Sequence, residues 1–184
     1  IRDRILMVLE FPVPFAPSFY GLDFSELPAL IGAFAYGPVA GVMIEFCKIL
    51  IKLVLKPSST AFVGELANFS ISCMLVLPAS VIYLFKKSRK QAILGTVVGT
   101  LIMTAFGSCF NAIYLLPKFS ELYGIPLDAI IGMGTAINPA IHSISGLVLM
   151  CVVPLNLLKG GLVSLITILV YKKLSPILKA AHKQ

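Results

Sequence analysis

The sequence predicts an all-α membrane protein of six transmembrane helices with both termini in the cytoplasm, and three observations carry that expectation. Hydrophobic residues make up 58% of the 184 positions and charged residues 12%, with a mean hydropathy of +0.98. An aqueous core could not hide so much apolar surface, so lipid has to solvate it. The apolar runs approach the ~20 residues that a helix needs to cross a bilayer. The basic residues are clustered: Arg2 with Arg4; Lys86, Lys87, Arg89 and Lys90; and Lys172, Lys173, Lys179 and Lys183. By the positive-inside rule these three places are cytoplasmic, so the formal charge of +7 marks topology and not nucleic-acid binding. Residues 1–184 read as a single domain.

In chain order, Arg2, Asp3, Arg4 and Glu10 leave about a dozen residues before Pro12, short of a span. The first membrane helix is therefore expected to be incomplete in this chain, with only its end, Ile5 to Phe15, given intact. No apolar region followed by a small-residue cleavage site marks a signal peptide there. Pro12, Pro14 and Pro17 lead into Ser18–Glu26, a stretch without lysine or arginine that reads as an ordered external loop. Ser25 followed by Pro28 opens a helix over Leu27–Tyr36, and Ala29, Ala33 and Gly37 give it a small-residue face for another helix of this chain or another subunit. After the Gly37-Pro38 turn, Val39–Leu55 carries Glu45, Lys48 and Lys52 on one inward-facing stripe. That stripe fits an intramembrane Glu45–Lys48 pair with Lys52 snorkelling to water, or contact with a ligand. A turn at Pro57–Thr60 feeds a helix from about Ala61 to Phe85, on which Glu65 and Asn68 are one turn apart. They fit a polar pair lining a cavity, or an interfacial glutamate with a capping asparagine.

Gln91–Leu116 spans back outward, its Gly95 and Gly99 reading as a helix-packing face and its Asn111 and Tyr114 lying near the outer end. Pro117–His142 reads as an external, partly re-entrant segment, and the final crossing as Val153–Leu174, because one more span would put the basic C-terminus outside. Lys159 is the only charge between Ile144 and Tyr171, and it follows Pro154 and Asn156 and precedes Gly160 and Gly161. A lysine at hydrocarbon depth costs roughly 3 kcal/mol by insertion scales, so it either walls a polar site or snorkels to the interface. Cys47, Cys73, Cys109 and Cys151 lie in apolar segments without Cys-x-x-Cys spacing and read as small buried thiols, so no metal or cofactor is expected.

Taken together, Phe11–Phe15, Leu22–Glu26, Gly37–Gly41, Gly64–Asn68, Asn111 and Pro154–Gly160 resemble, in the same order over essentially the whole chain, one family. It is the riboflavin-specific substrate-binding (S) subunit of energy-coupling factor (ECF) vitamin transporters, the RibU family. The resemblance implies a multi-pass subunit of the bacterial cell membrane that holds one riboflavin in its outer half. It also implies a transmembrane coupling subunit and two cytoplasmic ATPases as partners. Asn111 and Lys159 are expected to bond the polar edge of the isoalloxazine ring. The loop of Leu22, Asp23, Phe24 and Ser25 is expected to close over the ligand. Glu65 and Asn68 could take the ribityl hydroxyls, and Tyr114 and Asn156 complete the candidate set. Where Lys48 would be followed by Asn in that family, this chain has Ile49.

An enzyme fits badly, since no Ser-His-Asp or Cys-His set, HExxH or phosphate-binding loop is present and His142 reads as a loop residue. A stand-alone carrier or channel for a small polar solute, with Glu45, Lys48 and Lys52 lining its path, is the competing class, and an S subunit for a different vitamin the nearer one.

Overall fold

The computed structural model describes residues 11–17, 21–22, 24–55 and 62–180. The turn at Pro57–Thr60, Asp23 and the part of the expected first helix before Phe11 lie outside those residues. Phe11–Phe15, expected as the end of that helix, is not helical: it forms a strand at Phe11–Pro12 and then a turn, as Pro12 and Pro14 remove the donors a helix would need. The fold is helical with one minimal strand pairing: β1, Phe11–Pro12, runs antiparallel to β2, Gly21–Leu22. The helices are α1, Glu26–Tyr36; α2, Pro38–Leu55; α3, Val63–Phe85; α4, Arg89–Phe110; α5, Leu116–Tyr123; α6, Leu127–Thr135; α7, Ile144–Leu147; and α8, Val153–Ala180.

Among the described residues, three continuous helical stretches are long and apolar enough to cross a membrane: Val63–Phe85, Arg89–Tyr123 and Ile144–Val170. The second and third run straight through π-helical turns at Asn111–Leu115 and Val148–Val152. Each wide turn ends two residues before a proline, Pro117 or Pro154. A proline ring inside an α-helix removes a donor and collides with the carbonyl one turn back. Shifting to i→i−5 bonding, Leu116 N–H to Asn111 O and Val153 N–H to Val148 O, opens the turn ahead of the ring and lets the helix continue.

This continuity corrects two expectations. Within the external or partly re-entrant segment Pro117–His142, the part from Lys118 to Asp128 that carries loop-type residues is largely helical: α4 continues through the π turn into α5, and α6 follows after Gly124. The last long helix begins at Ile144 and not at Val153, its start capped by the Ser143 hydroxyl, which accepts from the Gly146 N–H at 3.1 Å. By contrast, the α1 N-cap residue Ser25 makes no side-chain capping bond. At 11 residues α1 is about 16 Å long, too short to cross ~30 Å of hydrocarbon by itself.

Small residues set the helix spacing. A Cβ on Gly95 would lie 2.6 Å from the Ala79 carbonyl oxygen and one on Gly99 2.5 Å from that of Leu75, so α4 meets the backbone of α3. The Ala29/Ala33 face is spent within the chain, both residues being fully buried with Val76 and packed by Ile44. A Cβ on Gly41 would sit 2.6 Å from that of Ala33. Because the atoms met by Gly95 and Gly99 are backbone, Gly95→Ala and Gly99→Ala are each expected to destabilise by roughly 1–3 kcal/mol. Thermal unfolding in detergent checks this, and wild-type melting by both variants would contradict the close approach.

Val39, Val54, Phe85, Ile113 and Leu169 are largely exposed on the periphery, an apolar surface suited to lipid. Cys73 and Cys151 are buried as expected, but Cys47 and Cys109 are exposed on that periphery, since they fall on the outward faces of α2 and α4. At the end carrying β1 and β2, Val13 and Ala16 pack into a cluster with Leu116, Ile130, Ile141 and Leu147. Phe24 packs against this cluster and against a second one that includes Leu30, Phe34 and Tyr83.

Candidate functional site

Four charged side chains meet between α1, α2 and α8. Glu26, the first residue of α1, is fully buried, and its Oε1 lies 2.6 Å from Lys159 Nζ on α8 and 3.5 Å from Lys48 Nζ on α2. Lys48 Nζ is in turn 2.5 Å from a carboxylate oxygen of Glu45, also fully buried. Two carboxylates and two ammoniums thus form a compact, formally neutral set, which is how a low-dielectric interior tolerates them. α3 supplies the polar edge: the Ser72 hydroxyl donates to Glu26 Oε1 at 2.7 Å and to Asn68 Oδ1 at 3.3 Å, and Lys48 Nζ donates to Asn68 Oδ1 at 3.4 Å.

A second polar group adjoins this set on α8, one helical turn before Lys159. The Asn156 side-chain nitrogen lies 2.8 Å from where a Gly107 Cβ would stand, so glycine is required there to admit the amide. Gly107 also accepts the Asn111 amide, whose Nδ2 donates to the Gly107 carbonyl at 2.7 Å. Both asparagines are buried, and Asn111 sits in the π turn before Pro117 while Asn156 follows Pro154. Among the described residues Asn156 Nδ2 has no hydrogen-bond partner. A buried amide donor without a partner costs about 1–3 kcal/mol, so Asn156 does not serve to brace the backbone around Pro154 through that atom.

The remaining candidates are placed as follows. The Glu45–Lys48 ion pair is present and Lys52 is half-buried further along α2. Asn68 belongs to the ion cluster, whereas Glu65 is half-buried one turn nearer the start of α3. Tyr114 differs from Asn111 in burial: Asn111 is buried, whereas Tyr114 is 41% exposed and its ring packs 5.1 Å from that of Phe110, on an aromatic row that begins with Phe106. Ser25 is buried and Phe24 half-buried at the start of α1, Leu22 pairs through its backbone in β2, and His142 is exposed.

Glu26 is the residue that sequence reasoning did not single out, because an acidic residue in a helix's first turn ordinarily faces water and the positive helix end. Charge balance is the signal that was available. Three lysines, Lys48, Lys52 and Lys159, lie in apolar runs that contain one carboxylate, Glu45, so a further anion was to be expected nearby.

Comparisons with known proteins agree with this architecture. The family model described as the ECF transporter, substrate-specific component, matches residues 4–171. The riboflavin transporter RibU of Staphylococcus aureus (strain TCH60) is 33% identical over 175 residues, covering 95% of this chain and 85% of that protein. The riboflavin transporter FmnP of Bacillus subtilis (strain 168) is 31% identical over 175 residues, covering 94% and 85%. A solved S component of a bacterial ECF transporter superposes with a TM-score of 0.70 at 35% identity, covering 96% of this chain and 92% of that one.

Proposed function

The chain belongs to the substrate-specific components of ECF transporters, and from that premise we propose that it is the riboflavin-binding subunit of such a transporter in a bacterial cell membrane. It is a transport component and not an enzyme; in ECF systems separate subunits hydrolyse ATP. In this reading the chain captures riboflavin outside and delivers it inward with a transmembrane coupling subunit and two cytoplasmic ATPases. Six spans with both termini inside suit that role, since the basic clusters at Lys86–Lys90 and in the C-terminal segment then share the cytoplasmic side.

The observation that carries the reading is a buried polar group one helical turn before Lys159: the Asn156 amide donor has no hydrogen-bond partner among the described residues. The isoalloxazine ring is flat and largely apolar with carbonyl and ring-nitrogen acceptors on one edge, which asks for such donors at fixed places. Asn111, Asn156 and Lys159 are the residues assigned to that edge. Asn68 and Glu65 are assigned to the ribityl hydroxyls, and the loop of Leu22, Asp23, Phe24 and Ser25 to the cover. Tyr114 contributes at most at the rim.

Purified protein is expected to bind one riboflavin with strong quenching of flavin fluorescence. Absence of quenching at micromolar riboflavin, together with tight binding of another vitamin, would refute the assignment. Asn156→Leu replaces the unmatched donor with a similar volume and is expected to weaken riboflavin by roughly 1–3 kcal/mol while leaving stability near wild type. Equilibrium titration and melting measured on the same preparation check both halves.

A further inference from the structure

We propose that Glu26 is a substrate-contacting, specificity-determining residue whose second carboxylate oxygen accepts the N3–H of the isoalloxazine imide, an assignment that rests on the riboflavin reading above. The two oxygens of Glu26 are not equivalent. Oε1 takes the Lys159 ammonium at 2.6 Å, the Ser72 hydroxyl at 2.7 Å and Lys48 at 3.5 Å. Oε2 is buried and has no hydrogen-bond partner among the described residues. A buried carboxylate oxygen without a donor is costly, and an ionised carboxylate can only accept. The group missing from this position is therefore a donor.

The neighbourhood narrows the donor further. Lys159 Nζ and the Glu26 carboxylate stand side by side, which puts a donor next to an acceptor at the edge of the candidate site. A cyclic imide presents the matching sequence, a carbonyl acceptor beside an N–H donor beside a second carbonyl. With Lys159 on one carbonyl and an asparagine amide on the other, Glu26 Oε2 is the acceptor for the N–H between them. Glu45 also has oxygens without a hydrogen-bond partner, but its ion pair is with Lys48 on its own helix, whereas Glu26 holds the Lys159 ammonium at 2.6 Å and so sets donor and acceptor side by side. The short hydrogen bond from Ser72 and the ion pair to Lys159 hold Glu26 in one orientation, so recognition is rigid.

The test compares riboflavin with N3-methylriboflavin, whose methyl group removes the single imide donor, by fluorescence titration of wild type, Glu26→Gln and Glu26→Asp. Wild type is expected to bind the methylated flavin at least about tenfold more weakly than riboflavin, the cost of a buried acceptor left unpaired. In Glu26→Gln the amide oxygen stays with Lys159 and Ser72 and the NH2 group turns toward the ligand, so the discrimination is expected to fall toward onefold. Glu26→Asp keeps the charge for Lys159, which protects folding, but withdraws the carboxylate by one methylene and is likewise expected to lose discrimination. A purely structural role for Glu26 would weaken both flavins equally and preserve the ratio. The assignment is overturned if wild type binds the two flavins alike, or if the ratio is the same in the variants as in wild type. Wild-type protein that binds no riboflavin removes the flavin reading and this assignment with it, whereas riboflavin binding with an unchanged ratio removes the assignment alone.

Discussion

Lys159→Met lowers riboflavin affinity and stability together, and the two losses have separate causes. The affinity loss is expected at roughly 1–3 kcal/mol, because the flavin edge forfeits a charged donor in a desolvated place. The stability loss comes from Glu26, fully buried and left without the ammonium that stood 2.6 Å away. Breaking a buried ion pair from one side costs about 3–5 kcal/mol where nothing replaces the partner, and here Lys48 at 3.5 Å offsets part of it. The combination Lys159→Met with Glu26→Gln, compared with Glu26→Gln alone, separates the two effects. Removing both charges is expected to restore most of the melting temperature while riboflavin binding stays weak. Recovery of binding in the double variant would show that Lys159 matters only as the counter-ion of Glu26.

Lys48→Met is expected to be the more damaging change to the fold. Its ammonium is the partner of Glu45 at 2.5 Å, a second contact of Glu26, and a donor to Asn68. Both carboxylates have fully buried side chains, so losing this one lysine leaves two anions short of positive charge. The expected destabilisation is about 3–5 kcal/mol, read as a large drop in melting temperature in detergent. Adding Glu45→Gln to Lys48→Met restores neutrality and is expected to recover most of the loss. A Lys48→Met protein that melts like wild type would mean that α2 turns this face to water and not to α1.

Part of the buried polar cluster was legible in the sequence. Lys159 stood out because a lone charge in an apolar run is expensive, and the structure buries it to 12% exposure in an ion pair with Glu26. The Glu45–Lys48 pair followed from their spacing of three on one helix. Gly95 and Gly99 were legible as a packing face for the same local reason. What the sequence concealed depends on partners distant in the chain. Glu26 is separated by 22 residues from Lys48 and by 46 from Ser72, and no local pattern distinguishes a buried first-turn glutamate from an exposed one. Tyr114 looked like a neighbour of Asn111 by ordinary helical spacing, but the π turn over Asn111–Leu115 changes the angle per residue and sends the ring to the periphery.

By itself the sequence determined that this is a helical membrane protein, which helices are apolar, and which polar residues are too costly in lipid to be accidental. Those are properties of composition and of spacing within one helix, where each residue's neighbours are set by 3.6-residue geometry. Only the tertiary structure decided that Glu26 is the hub joining two lysines, that Asn156 packs on Gly107, the residue whose carbonyl accepts from Asn111, and that Pro117 and Pro154 sit inside continuous helices and do not end them. Each of those outcomes depends on which atoms lie opposite once separate helices pack. A buried charge or a proline at depth demands a compensating partner, and the sequence states the demand without saying which distant residue meets it.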